Sequence, residues 1–219
     1  MAYIGTFPSS PGFNAVNFKM NTQTKITRAA SGRTIRATNS TTLWSGTLAF
    51  PVMNLGEFRP IQGFMAQTQG PLNEFDIVIP GVSESQAKDI TTGASIADII
   101  NGRVFVEGAH SAGDTTIAIT TFPDSASTQL GDQVLLKAGD VVRFANHTKV
   151  YMVTTDINTD SGGLATLNIQ PGLVEALADE EAVTNNNVPF RMMMSGDVQE
   201  FNYRTDNLIA YEIDVEETI

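Results

Sequence analysis

The chain is 219 residues long, with 42% apolar side chains, no cysteine, and a formal charge of −11 from 13 basic and 24 acidic residues. That length supports one large domain or two small ones with a buried core, and the lack of cysteine excludes disulfide frameworks and zinc–thiolate centres. The negative charge argues against broad attraction to nucleic acid or an anionic membrane, and no apolar run approaches the roughly 20 residues a bilayer crossing needs.

The opening MAYIGTFPSSPGF lacks the basic and apolar regions of a signal peptide, so a soluble chain starting at or near Met1 is expected. The charge is unevenly placed. Residues 1–70 hold six basic side chains (Lys19, Lys25, Arg28, Arg33, Arg36, Arg59) and one acid, Glu57, a net +5, which leaves −16 for residues 71–219. Such a molecule folds its basic segment onto its own acidic part, offers the two signs to neighbouring copies, or leaves both solvated. A nucleic-acid arm is disfavoured, because Arg28, Arg33 and Arg36 lack interleaved aromatics.

Threonine occurs 25 times, and short alternating apolar runs bounded by Gly, Pro, Asn and Asp predict a mainly β protein. The first strands are expected at Val16–Met20, Lys25–Ala30, Arg33–Thr38 and Leu43–Phe50, with a hairpin turn at Ala30-Ser31-Gly32. A helix is expected to enter at Asn54, with Glu57 completing a capping box. It carries Phe58, Ile61, Phe64 and Met65 on one face and closes at Gly70. Pro60 is expected to confine its regular part to the residues after Phe58. Phe75, Ile77 and Ile79 then alternate as a strand.

From Gly81 the texture turns polar, with islands at Arg103–Glu107 and Thr115–Thr120 and a helical turn expected at Ile96–Ile100. Val141–Ala145, a tight link at Asn146-His147-Thr148, Lys149–Thr155 and Leu164–Ile169 complete a small barrel or sandwich, and Leu173–Ala178 is expected to form one helical turn. The closing strands are Pro189–Met194, Asp197–Tyr203 and Asn207–Val215, the last alternating throughout. These need partners, and the first segment has edges to fill. The reading is a split domain of strands with one helix, 1–80 plus 188–219, interrupted by an inserted β module at 81–187.

Sites of chemistry are sparse. The two histidines, His110 and His147, have no metal-binding spacing, and His147 is expected as an exposed turn residue. No nucleophile elbow, phosphate loop or dinucleotide fingerprint is present. Asp156, Asn158 and Asp160, followed by Gly162 and Gly163, resemble a calcium loop. However, the glycine falls one place late, and Leu167 stands where a bidentate Glu belongs, so a plain Asx/Gly turn explains the same letters. Glu74 with Asp76, or Glu212 with Asp214, have a spacing that could serve glycoside cleavage, set against a solvated or intersubunit sheet face. Trp44 is read as core or interface. Met192-Met193-Met194 is apolar on both strand faces, hence a central strand or a subunit contact. No cofactor is indicated.

Several strings resemble tailed-bacteriophage virion proteins of the distal-tail and baseplate kind. They are Ser31-Gly32-Arg33, the run from Leu43 to Met53, Glu57 to Phe64, Phe75-Asp76-Ile77, Leu136 to Asp140, Phe144, His147, Lys149 to Val153, and Asp197 to Phe201. The resemblance implies a tail-tube-like β-sandwich that assembles in rings, commonly sixfold, at the end of the tail tube. It also implies seating of further tail-tip or baseplate proteins, passage of DNA through the lumen without recognition, and a place in the virion after assembly in the host cytoplasm. It implies no catalytic residues, hence a non-enzyme. Arg28, Arg33, Arg36, Trp44, Phe58, Ile61, Phe64 and Met192–Met194 are the packing and interface candidates. The alternatives are a carbohydrate- or receptor-binding module in the insertion and a tail-associated glycan hydrolase.

Overall fold

The computed structural model describes residues 1–88, 95–96, 103–121, 132–203 and 207–219, with backbone alone at 38–41. The helical turn expected at Ile96–Ile100 lies outside the described residues from 97 onward. In chain order the elements begin with β1 (Tyr3–Thr6), β2 (Ala15–Arg28), β3 (Thr34–Ala49), β4 (Met53–Asn54), α1 (Leu55–Thr68) and β5 (Glu74–Ile77). There follow β6 (Phe105–Val106), β7 (Thr116–Thr120), β8 (Val134–Leu136), β9 (Val141–Phe144), β10 (Val150–Val153), β11 (Ile157–Asn158), β12 (Leu164–Gln170) and β13 (Val183–Thr184). The last are β14 (Phe190–Met194), β15 (Asn202–Tyr203), β16 (Leu208–Ala210) and β17 (Glu212–Glu217). The protein is mainly β, with α1 the one complete α-helix among the described residues, and none of its described helices is long and apolar enough to cross a membrane. Two compact units emerge: Met1–Val78 with Phe190–Ile219, and Ile79–Pro189.

The first unit is built on a six-stranded sheet in the order β1-β5-β14-β17-β3-β2, in which only the β1–β5 pair is parallel. Strand alternation sends Trp44, Leu48, Phe75, Ile77, Phe190, Met192, Met194, Ile213 and Val215 to the buried face. A three-stranded sheet, β15-β16-β4, and helix α1 supply the second layer. Phe64 packs edge-on to Phe7 and Phe75 of the large-sheet side, while Phe58 meets Phe201, Tyr203 and Tyr211. The Asn54 side chain accepts from the Gly56 and Glu57 amides at 2.9 and 3.0 Å, and Glu57 accepts from the Asn54 amide at 3.0 Å, which closes the capping box.

Four expectations need correction in this unit. The helix is regular from Leu55 and runs through Pro60. The reciprocal cap and the buried Phe58, Ile61 and Met65 hold its first turns, so the single amide that proline removes is tolerated. The four early strands are two long ones, β2 and β3, continuous through a register shift between Thr22 and Thr24. Asn207–Val215 is not one strand: β16 pairs with β4 and β15, and the chain crosses at Tyr211 into β17 of the large sheet. Of Asp197–Tyr203, only Asn202–Tyr203 is strand.

The second unit is a small barrel. Its sheet runs β13-β9-β10-β12-β7-β6. Its ends meet, because Val106 N–H donates to Glu181 O, Glu180 N–H to Val106 O and Val183 N–H to Val104 O at 2.8–3.0 Å. Closure leaves few bare edges. The interior is filled by Val106, Ile117, Ile119, Val142, Phe144, Tyr151, Val153, Leu167 and Ile169 with their neighbours. Leu173–Ala178 is an extended loop rather than a helical turn. Its backbone hydrogen bonds go outward to the 110–114 segment, through His110, Gly113 and Asp114, and leave none for a helix.

The segment entering this unit is pinned by Asp140, which is 3% exposed and accepts from Ser85 Oγ at 2.7 Å, Gln86 N at 3.0 Å and Lys137 N at 2.9 Å. Asp140→Ala strands those donors. Urea denaturation is expected to show a loss of roughly 2–4 kcal/mol, with Asp140→Asn losing less.

Candidate assembly interface

The sheet order places β2 at one edge, and β17 pairs with β3 only over Ser45–Ala49. Where β17 ends, the buried Glu217 side chain accepts the Trp44 amide at 3.0 Å. N-terminal to that point β3 pairs with β2 alone, so the two strands leave the sheet as a ribbon ending in the turn Ala29–Arg33. At about 3.3 Å per residue its free part, from Asn21 to Arg28 and back from Thr34 to Leu43, is roughly 25–30 Å long. Among the described residues no third strand pairs with either of its margins. A two-stranded ribbon in water is marginal by itself, and unpaired margins invite another chain.

The ribbon side chains match that geometry. Ile26 is 63% exposed and Ile35 55% exposed. The register places Ile26 opposite Arg36 and Thr27 opposite Ile35, so each face carries one isoleucine. Lys25, Arg28, Arg33 and Arg36 are exposed, residues 21–37 contain no acid, and among the described residues these four make no ion pair. Gly32 takes φ +80° in the turn, a conformation that suits glycine.

The outer face of the six-stranded sheet carries the opposite sign. Glu212 and Asp214 are exposed, Glu216 is half-buried, and Asp214 accepts from the Thr47 hydroxyl. A shallow depression of about 200 Å³ lies beside them, lined by Lys19, Ser45, Thr47, Ser195 and Asp214. The other carboxylate pair is engaged. Asp76 receives Arg191 Nε at 2.7 Å and the Tyr3 hydroxyl at 3.1 Å, Arg191 lies 3.7 Å from Glu74, and its guanidinium sits 4.0 Å above the Tyr3 ring. This cluster ties β1, β5 and β14 together.

The remaining sequence candidates fall as follows. Trp44 is buried, stacked on Phe18 and edge-on to Phe190. Phe58 and Ile61 are fully buried on the helix face, with Phe64 half-buried beside them. Met192 and Met194 enter the core, and Met193 faces the other way, opposite Glu216. Asp156 is held by Lys137 Nζ at 2.7 Å and the Ala138 amide at 3.0 Å, and the Lys137 hydrogen bond keeps its carboxyl below the usual range. Asp160 accepts the Gly162 and Leu164 amides at 2.8 and 2.9 Å, the turn chemistry of an Asx loop, while Asn158 pairs in β11 opposite Val134. Among the described residues no three acids or histidines are grouped to hold a metal ion.

His147 corrects the expectation of an exposed turn residue. It is 7% exposed, with Nδ1 2.6 Å from Asn146 Oδ1 and Nε2 2.7 Å from the Tyr151 hydroxyl. Burial pushes its pKa below 6.5, with Glu175 opposing and Arg143 and Lys149 adding to the shift. The bend at Asn146 was legible in the residues. The cover over it was not, because that comes from a loop about 25 positions later.

Residues 108–188, a little over a third of the chain and within the barrel unit, match the family model described as the distal tail protein pb9, B domain. This part of the barrel is similar to the B domain of a phage distal tail protein. The match supports a phage distal tail protein, a structural protein of the bacteriophage virion with its role in the tail. No curated protein matches the chain. The ribbon and the acidic sheet face belong to the other unit, outside the matched residues.

Proposed function

We propose that this distal tail protein is an adaptor-ring subunit. Six copies close at the distal end of the tail tube and join it to tail-tip or baseplate proteins, assembling in the host cytoplasm. The split 1–80 plus 188–219 domain builds the ring, and the 81–187 module is an inserted domain that takes no part in closing it. The observation that carries this reading is the ribbon of β2 and β3, which leaves its own sheet with no strand among the described residues on either margin and with four cations that make no ion pair among them. A cyclic arrangement meets both needs, since each arm lies on the next subunit and no arm is left over. The acidic counterpart is the β17 face, with Glu212, Asp214 and Glu216. The net −16 of residues 71–219 leaves the molecule unattractive to phosphate, which suits a subunit around a DNA channel.

The ring acts by position and performs no chemistry. Neither carboxylate pair singled out for glycoside cleavage stands in an enclosed cleft: one is bound to Arg191 and Tyr3, and the other lies on an open sheet face. Native mass spectrometry and electron microscopy of the purified protein, alone and with tube protein, test the proposal. A closed ring of like subunits is the expected result. A strict monomer that remains alone even on tube ends overturns it.

A further inference from the structure

The barrel contains a buried titratable group that ring assembly does not use. Asn146 Nδ2 donates to Ala176 O at 2.9 Å, which fixes the amide so that Oδ1 faces His147 Nδ1 at 2.6 Å. Nδ1 is therefore the protonated nitrogen of the neutral ring, and Nε2 accepts the Tyr151 hydroxyl at 2.7 Å. The Tyr151 oxygen in turn accepts the Val174 amide at 3.0 Å. Val174 belongs to the 171–178 loop, which carries Leu173 and Leu177 into the barrel core. The chain Asn146–His147–Tyr151–Val174 thus fastens that loop to the turn between β9 and β10.

We propose that His147 is a proton-operated latch that holds the 171–178 loop on the barrel while neutral and loosens it when protonated. Addition of a solvent proton to Nε2 turns the acceptor into a donor. The tyrosyl proton must then leave the line to His147, and the Tyr151 oxygen faces two donors, Nε2–H and the Val174 N–H. One of the two fastenings weakens. The charged groups facing the imidazole act in opposite senses: Glu175 on the loop favours the imidazolium, and Arg143 on β9 and the buried Lys149 before β10 oppose it. With burial, the balance keeps the ring neutral at pH 7.

The sign follows from linkage. The closed form holds His147 below its ordinary value, so the opened form binds more protons as pH falls below about 6.5, and closure is progressively lost toward the closed-state pKa. The inference is independent of ring formation and is tested on the full chain. Hydrogen exchange by mass spectrometry is compared at pH 7.5 and 5.0, with exchange times scaled for the intrinsic rates.

The protection of the 171–178 peptide is expected to fall by about tenfold per unit of pKa difference, while β9 and β12 change little. His147→Gln is expected to remove the acid dependence, and Tyr151→Phe to give a weakly protected loop at both pH values. Equal protection of the wild-type loop at both pH values, or an acid loss retained in His147→Gln, overturns the proposal. Should His147→Gln fail to fold, wild-type NMR decides. The His147 ring and the Val174 amide must titrate with one shared midpoint below 6.5, and separate midpoints refute the latch.

Discussion

The triple variant Arg28→Glu, Arg33→Glu, Arg36→Glu is expected to abolish self-assembly while leaving the melting temperature of the subunit unchanged. The three side chains are exposed and make no ion pair within the described chain, so no intramolecular contact is lost, and surface substitutions of this kind cost within about 0.5 kcal/mol. Across an interface the arithmetic differs. In the proposed ring each reversal replaces an attraction by a repulsion where the neighbour would present Glu212, Asp214 and Glu216. Like charges brought together cost several kcal/mol, so at least ~100-fold weaker association, about 2.7 kcal/mol, is expected for each contact.

Sedimentation and native mass spectrometry read the outcome directly. Two companions sharpen it. Wild-type assembly should weaken as salt is raised, and Glu212→Lys with Asp214→Lys should partly restore association of the triple variant. A ring that survives the triple reversal at low salt would remove the arm from the assembly mechanism.

The second large effect is on stability. Phe58→Ala is expected to destabilise the sandwich unit by about 3–5 kcal/mol, a large share of the total stability of an ordinary domain. Phe58 has no exposed surface and meets the rings of Phe201, Tyr203 and Tyr211 at centroid distances of 5.7, 6.3 and 5.2 Å. The cavity would open where α1 and the β15-β16-β4 sheet meet, and edge-on ring contacts would be lost along with buried area. The unit has a built-in reporter. Trp44 is the only tryptophan, it is buried, and it stacks 5.2 Å from Phe18. Urea unfolding followed by its fluorescence should show the midpoint falling with an unchanged slope. A loss below about 1 kcal/mol would mean that the helix is not fastened through this residue.

Residues near in sequence announce local structure because their effects are local. The capping box at Asn54 and Glu57 and the apolar face through Phe58, Ile61 and Met65 specify α1 without reference to anything distant. The alternation at Phe75, Ile77 and Ile79 and at β9, β10 and β12 likewise states which side of each strand is buried. The same logic explains the failures. Ile209, Tyr211, Ile213 and Val215 are all buried, so one uninterrupted alternation spans two strands of different sheets. A period-2 pattern reports faces and is silent about which sheet a strand joins.

The Thr- and Asn-rich stretches of the ribbon carry no apolar alternation, so the pattern breaks it into short strands, whereas its length is a matter of backbone pairing across the hairpin. The unfavourable propensity of Pro60 is a local effect, and the packing of Phe58 and Ile61 outweighs it. The β character, the helix with its cap, the hairpin turn, the basic arm and the acidic remainder are all legible in neighbouring residues. The closing of the barrel through Val104, Val106, Glu180 and Glu181, the switch of sheets at Tyr211, the ribbon margins that no described strand covers and the burial of His147 come from folding. Each of these depends on hydrogen bonds or cover supplied by another part of the chain, and no local pattern encodes the partner.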